Sequence, residues 1–120
     1  MRVIPHDTAR GTFLECDPAA GQLATDGDAV ELVSACAAHD ASRLLLHGTG
    51  VVPAFFDLGT GVAGQLLHRF GIYRVRVAVL LAPGQVLGRR FHELVTESNK
   101  GTAFAAFFDR ADAENWLLRD

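Results

Sequence analysis

The segment Tyr73–Leu81 constrains the fold more than any other stretch of the chain. It alternates Arg74, Val75, Arg76 and Val77, then turns wholly apolar through Ala78, Val79, Leu80 and Leu81. A strand of this kind is covered on both faces, which places it inside a sheet flanked by helices. Its neighbours fit that setting. Arg43–His47, centred on Leu44-Leu45-Leu46, reads as a short strand, and Thr102–Phe108 as the last one. Between them, Val62, Ala63, Leu66, Leu67 and Phe70 make a helical stripe over about residues 60–70, with Gly71 just beyond it. Phe91, Leu94 and Val95 do the same over about 89–99, closed by Lys100 and Gly101.

The flanks extend the pattern. Residues 2–6 and 12–16 read as two strands joined by the turn formers Asp7-Thr8-Ala9-Arg10-Gly11. A helix over about 28–39 carries Val30, Val33, Cys36 and Ala37 on one face, and Asp28 and Glu31 stand at capping-box spacing. Asp109 caps a final helix that turns Ala113, Trp116 and Leu117 inward. The predicted order is β-β-α-β-α-β-α-β-α in one α/β domain spanning residues 1–120. Right-handed βαβ crossovers make the last three strands parallel, and the first one or two pair antiparallel at an edge.

Composition narrows the function classes. Of 120 residues 49 % are hydrophobic, enough for a packed core and too many for a disordered chain. A formal net charge of −3 gives no general attraction to nucleic acid or to an anionic membrane. No apolar run approaches the roughly 20 residues of a membrane span. The opening Met-Arg-Val-Ile-Pro-His-Asp meets proline and aspartate too early for a secretory signal. Two cysteines are too few for a disulfide framework; Cys16 in a strand and Cys36 in a helix read as buried small hydrophobes in a reducing, cytoplasmic setting.

No catalytic constellation stands out. Gly59-Thr60-Gly61-Val62-Ala63-Gly64 spells G-x-G-x-x-G, but Pro53–Leu58 separates it from the preceding strand. The next strand ends in Leu81-Ala82-Pro83, without the carboxylate a dinucleotide site requires. The five histidines show no H-x-x-x-H spacing and no cysteine at a ligand interval, so neither a metal nor a cofactor is expected. The topology points instead to the carboxyl ends of the parallel strands. There the loops His47–Thr60 and Pro83–Arg90 should meet. They bring His47, Thr49, Asp57 and Thr60 near Arg89 and Arg90, whose guanidinium groups and free helix-start amides suit an anion. Phe55 and Phe56 either pack into the core from two sides of a short turn or face an interaction surface.

The string Pro53-Ala54-Phe55-Phe56-Asp57-Leu58-Gly59-Thr60-Gly61-Val62-Ala63-Gly64 resembles the Pro-x-Phe-Phe-Asp-Leu-x-Thr-Gly-x-Ala-Gly string of the bacterial family called domain of unknown function 4180. Glu97-Ser98-Asn99-Lys100-Gly101 is similar to that family's close of the penultimate helix, and the likeness covers most of the chain. From residue 43 onward the element order also resembles STAS domains, the fold of anti-sigma-factor antagonists. In those, Asp-Ser-Ser/Thr-Gly after a central strand carries a phosphorylatable hydroxyl that switches binding to a partner kinase. Here Asp57 and Thr60-Gly61 stand in that loop with Leu58 and Gly59 between them. The resemblance implies Thr60 as phosphoacceptor, with Arg89 or Arg90 to meet its phosphate. The expected function is a non-enzymatic regulatory or protein-interaction module of STAS-like fold, with a protein partner or a second copy of the chain. The alternative is a small-molecule or anion-binding domain, or a minor enzyme, using the carboxyl-end loops.

Overall fold

The computed structural model describes residues 1–119. β1 (Val3–Thr8) and β2 (Gly11–Cys16) form an antiparallel hairpin in the register Thr8↔Gly11. The Thr8 hydroxyl fixes its turn by donating to the Gly11 carbonyl at 2.7 Å and accepting from the Arg10 N–H at 3.1 Å. Then follow α1 (Asp26–Ala38), β3 (Arg43–His47), α2 (Val62–Ile72), β4 (Arg76–Leu80), α3 (Arg89–Ser98), β5 (Phe104–Phe107) and α4 (Arg110–Leu118). Short 3-10 turns, which the expectation left out, occupy Pro18–Ala20 and most of the β3–α2 connection.

The strands lie side by side in chain order, β1-β2-β3-β4-β5. β2, β3, β4 and β5 are all parallel, so β2 joins the three strands expected to be so. Each crossover steps one strand in the same direction, and right-handedness then sends α1, α2 and α3 to one face of the sheet. There Leu14, Leu44, Leu46, Val77 and Val79 pack with Ala29, Leu32, Cys36, Ala63, Leu66 and Phe70. The opposite face carries α4 alone: Phe13, Leu45, Ala78 and Ala105 share a core with Ala113, Trp116 and Leu117.

Several boundaries differ from expectation, three of them for clear local reasons. The capping box of α1 is Thr25 with Asp28, not Asp28 with Glu31: Thr25 Oγ1 accepts from the Asp28 N–H and the Asp28 carboxylate accepts from the Thr25 N–H. The inward face of α1 is Ala29, Leu32 and Cys36, and Val30 and Ala37, expected on that face, are left exposed. α2 runs past Gly71 and ends in a Schellman-type closure, Val75 N–H to Phe70 O at 3.0 Å. Arg74 takes the left-handed position there, at φ 55°, which delays β4 to Arg76.

Phe55 and Phe56 are both buried, at 0 % and 2 % exposure. A 3-10 turn over Pro53–Phe56 points both rings inward, where each meets Phe91 edge-on, with centroids 5.6 and 5.2 Å away. The pair therefore belongs to the core and presents no interaction surface.

Candidate functional site

In a strand, alternate residues face alternate sides. Leu45 lies in the α4-side core, so His47, two residues on, faces the same side at the carboxyl end of β3. Glu15 shares that face with Phe13 on the neighbouring strand β2, and its side chain is only 12 % exposed. A carboxylate so placed needs partners. Arg110, the first residue of α4, donates Nη1 and Nη2 to its two oxygens at 3.0 and 2.8 Å. The Arg110 Nε donates to Glu114 at 2.7 Å, one helical turn further on. Two imidazoles complete the shell: His47 Nε2 lies 2.5 Å from Glu15 Oε2, and His6 Nε2 lies 2.8 Å from Oε1. The His6 ring also stacks on Phe13, with centroids 4.7 Å apart.

The electrostatics follow from this geometry. The Arg110 guanidinium holds the Glu15 carboxyl down to about 2, against the opposing effect of burial, and both imidazoles act in the same direction. Reciprocally, the Glu15 carboxylate pushes Arg110 above its ordinary value. An ionised Glu15 can only accept, so both histidines donate Nε2–H to it. Each Nδ1 is left without a protein partner among the described residues.

Beside this network lies a cleft of about 270 Å³, formed where the carboxyl ends of β3, β4 and β5 approach the start of α4. Leu80, Leu81, Ala82, Pro83 and Phe108 give it apolar walls, and His47, Thr49 and Arg110 supply polar groups. Phe108 is 59 % exposed at its rim. The two loops expected to meet do so: Thr49, Pro53 and Phe56 line an adjoining hollow with Ala82–Val86, and the Gly88 N–H donates to Phe56 O at 2.8 Å.

Of the residues picked from sequence, His47 and Thr49 reach the cleft. Asp57 and Thr60 do not line it; they brace their own loop. The Asp57 carboxylate accepts from the Gly59 N–H at 3.0 Å, and Thr60 Oγ1 lies 2.7 Å from Ala54 O and 2.8 Å from Asp57 O. Gly61, at φ 79°, then takes the left-handed turn into α2 that a side chain would strain. Arg89 is 93 % exposed and faces Glu93 at 3.6 Å, while Arg90 is exposed on the first turn of α3. Neither arginine lines the cleft.

Sequence reasoning missed Glu15, His6, Phe108 and Arg110. One signal was present, a lone carboxylate inside the apolar run Phe13-Leu14-Glu15-Cys16; Arg110 and Glu114 at i, i+4 were another. Among the described residues no group of three or more His, Cys, Asp or Glu could hold a metal ion. Among the described residues no helix is long and apolar enough to cross a membrane.

No curated protein and no solved structure matches the chain. The model of one protein family, described as a domain of unknown function (DUF4180), matches residues 8–117 and therefore nearly the whole sequence, so the chain belongs to that family.

Proposed function

We propose that the chain is a non-enzymatic regulatory domain of STAS-like fold that binds a small molecule in the cleft between His47 and Arg110. The observation that carries this reading is the convergence of three strand ends and one helix start on a single concavity. It has apolar walls and a few polar groups locked in place, the usual make-up of a small-ligand site. Glu15 supplies the locking: one largely covered carboxylate fixes His47 from β3 and Arg110 from α4. The STAS-like assignment rests on the element order from residue 43 onward, and the cytoplasmic setting on two buried, unpaired cysteines. The test is an amide-resolved NMR screen of small polar aromatic compounds. Hits should move the amides of Thr49, Ala82, Phe108 and Arg110 together and weaken in Phe108→Ala. A broad library that leaves those four amides in place refutes the site.

The same face supports a second reading as a contact surface. Val86 is 84 % exposed on the β4–α3 loop and lines a hollow that shares Thr49, Ala82 and Pro83 with the cleft rimmed by Phe108. Self-association there predicts a light-scattering mass above the 12.9 kDa of one chain, restored to monomer by Val86→Asp. A monomeric mass at high concentration excludes it.

A further inference from the structure

Resting on the binding reading above, we infer that the cleft selects an uncharged planar ligand whose polar edge both donates and accepts hydrogen bonds, a ring carboxamide or similar heteroaromatic edge.

A guanidinium carries five N–H groups. Arg110 gives three of its own to carboxylates, two to Glu15 and one to Glu114, which leaves two on a side chain that is 41 % exposed. Its single positive charge faces two negative ones, and Asp109 and Asp112 add further carboxylates at the same helix start. An incoming anion therefore finds donors but a negative surrounding field, without the net positive charge that would offset its lost hydration. A cation fares no better. The Glu15 carboxylate is almost fully covered, so the charged group lining the cleft is the guanidinium itself.

An uncharged polar edge meets neither obstacle. The free Arg110 N–H groups need an acceptor, and His47 Nδ1, with Nε2 committed to Glu15, needs a donor. A pure hydrocarbon would leave both unsatisfied, at the cost of an unpaired buried polar group. Exposed Phe108 and the Leu80–Pro83 wall offer flat apolar contact for a ring. A volume of about 270 Å³ suits one ring with one substituent.

Benzamide, benzoate and benzamidine share one shape and differ in charge, which makes them the probes. Titrated at pH 8 against the whole chain, benzamide should bind at least about fivefold more tightly than either charged analogue, read from the Thr49, Ala82, Phe108 and Arg110 amides. Glu114→Gln removes one half-buried carboxylate from Arg110 while leaving the Glu15 bond, so it should narrow the gap between benzamide and benzoate several-fold. Glu15→Gln should narrow it further, with its fold checked by the dispersion of the same spectra. Benzoate or benzamidine binding as tightly as benzamide overturns the inference and leaves the cleft a ligand site. So does a gap that Glu114→Gln does not change. Failure of all three probes to move those amides removes the binding reading as well.

Discussion

The side-chain amide of Asn99 pairs with the backbone of Ala106 in both directions: Nδ2 donates to Ala106 O and Oδ1 accepts from the Ala106 N–H, each at 3.0 Å. Asn99 follows the last residue of α3, and β5 is an edge of the sheet. The amide thus occupies backbone groups that an edge strand would otherwise offer to another chain. It also gives a physical role to one residue of the Glu-Ser-Asn-Lys-Gly segment. Asn99→Ala should lower the unfolding free energy by about 2 kcal/mol, since two backbone groups lose their partners. Urea denaturation measures it, and an unchanged midpoint would show the pairing to be dispensable.

Acid should destabilise the protein through Glu15. Its carboxyl is ordinarily near 4.5 and is held at about 2 in the fold. A depressed carboxyl contributes stability that is fully present above its ordinary value and lost as pH falls through the folded one. The window is therefore about pH 4.5 down to 2, and the size is about 3 kcal/mol. Glu15→Gln should be less stable than the wild type at pH 7 and lose less than the wild type across that window. Parallel stability–pH curves for the two proteins would contradict the assignment.

Phe55→Ala should cost about 3–5 kcal/mol, the usual range for removing a buried ring. The ring is fully buried and contacts Phe56, Phe91 and Phe104 edge-on, so its loss leaves a cavity. A loss below about 1 kcal/mol in chemical denaturation would place the ring outside the core.

Arg74→Gly should stabilise the fold. Arg74 holds φ 55° on the surface, a left-handed conformation that costs an L-residue roughly 1 kcal/mol and glycine almost nothing. Glycine's greater freedom in the unfolded chain offsets part of this, so a gain of about 0.5 kcal/mol is expected, seen as a higher midpoint of thermal unfolding. A lower midpoint would reveal a stabilising contact made by the Arg74 side chain.

The native thiols should be inert. Burial pushes Cys36 up to about 11 and Cys16 above its ordinary value, so little thiolate exists at neutral pH. Ellman's reagent should titrate neither until denaturant is added; rapid labelling of the folded protein would contradict their burial.

Periodicity by itself determined much of this architecture. The stripes Ala63-Leu66-Phe70 and Ala113-Trp116-Leu117, and the apolar runs of β3 and β4, state which segments are helix or buried strand, because a face must repeat at the period of its element. The carboxyl-end location of a cleft also followed, from chain direction in βα units. Local pattern failed where a boundary rests on one hydrogen bond, as at Thr25, or on one left-handed residue, as at Arg74.

What only the tertiary structure decided is which side of the sheet carries the site. The sequential strand order puts α1, α2 and α3 on one face and leaves α4 alone on the other. That arrangement brings Arg110 across 95 positions of sequence to Glu15, with His47 from β3 and His6 from the edge hairpin. No spacing along the chain encodes a contact of that length. It exists because a largely covered carboxylate needs a charged partner, and sheet order and α4 packing bring Arg110 within reach of Glu15.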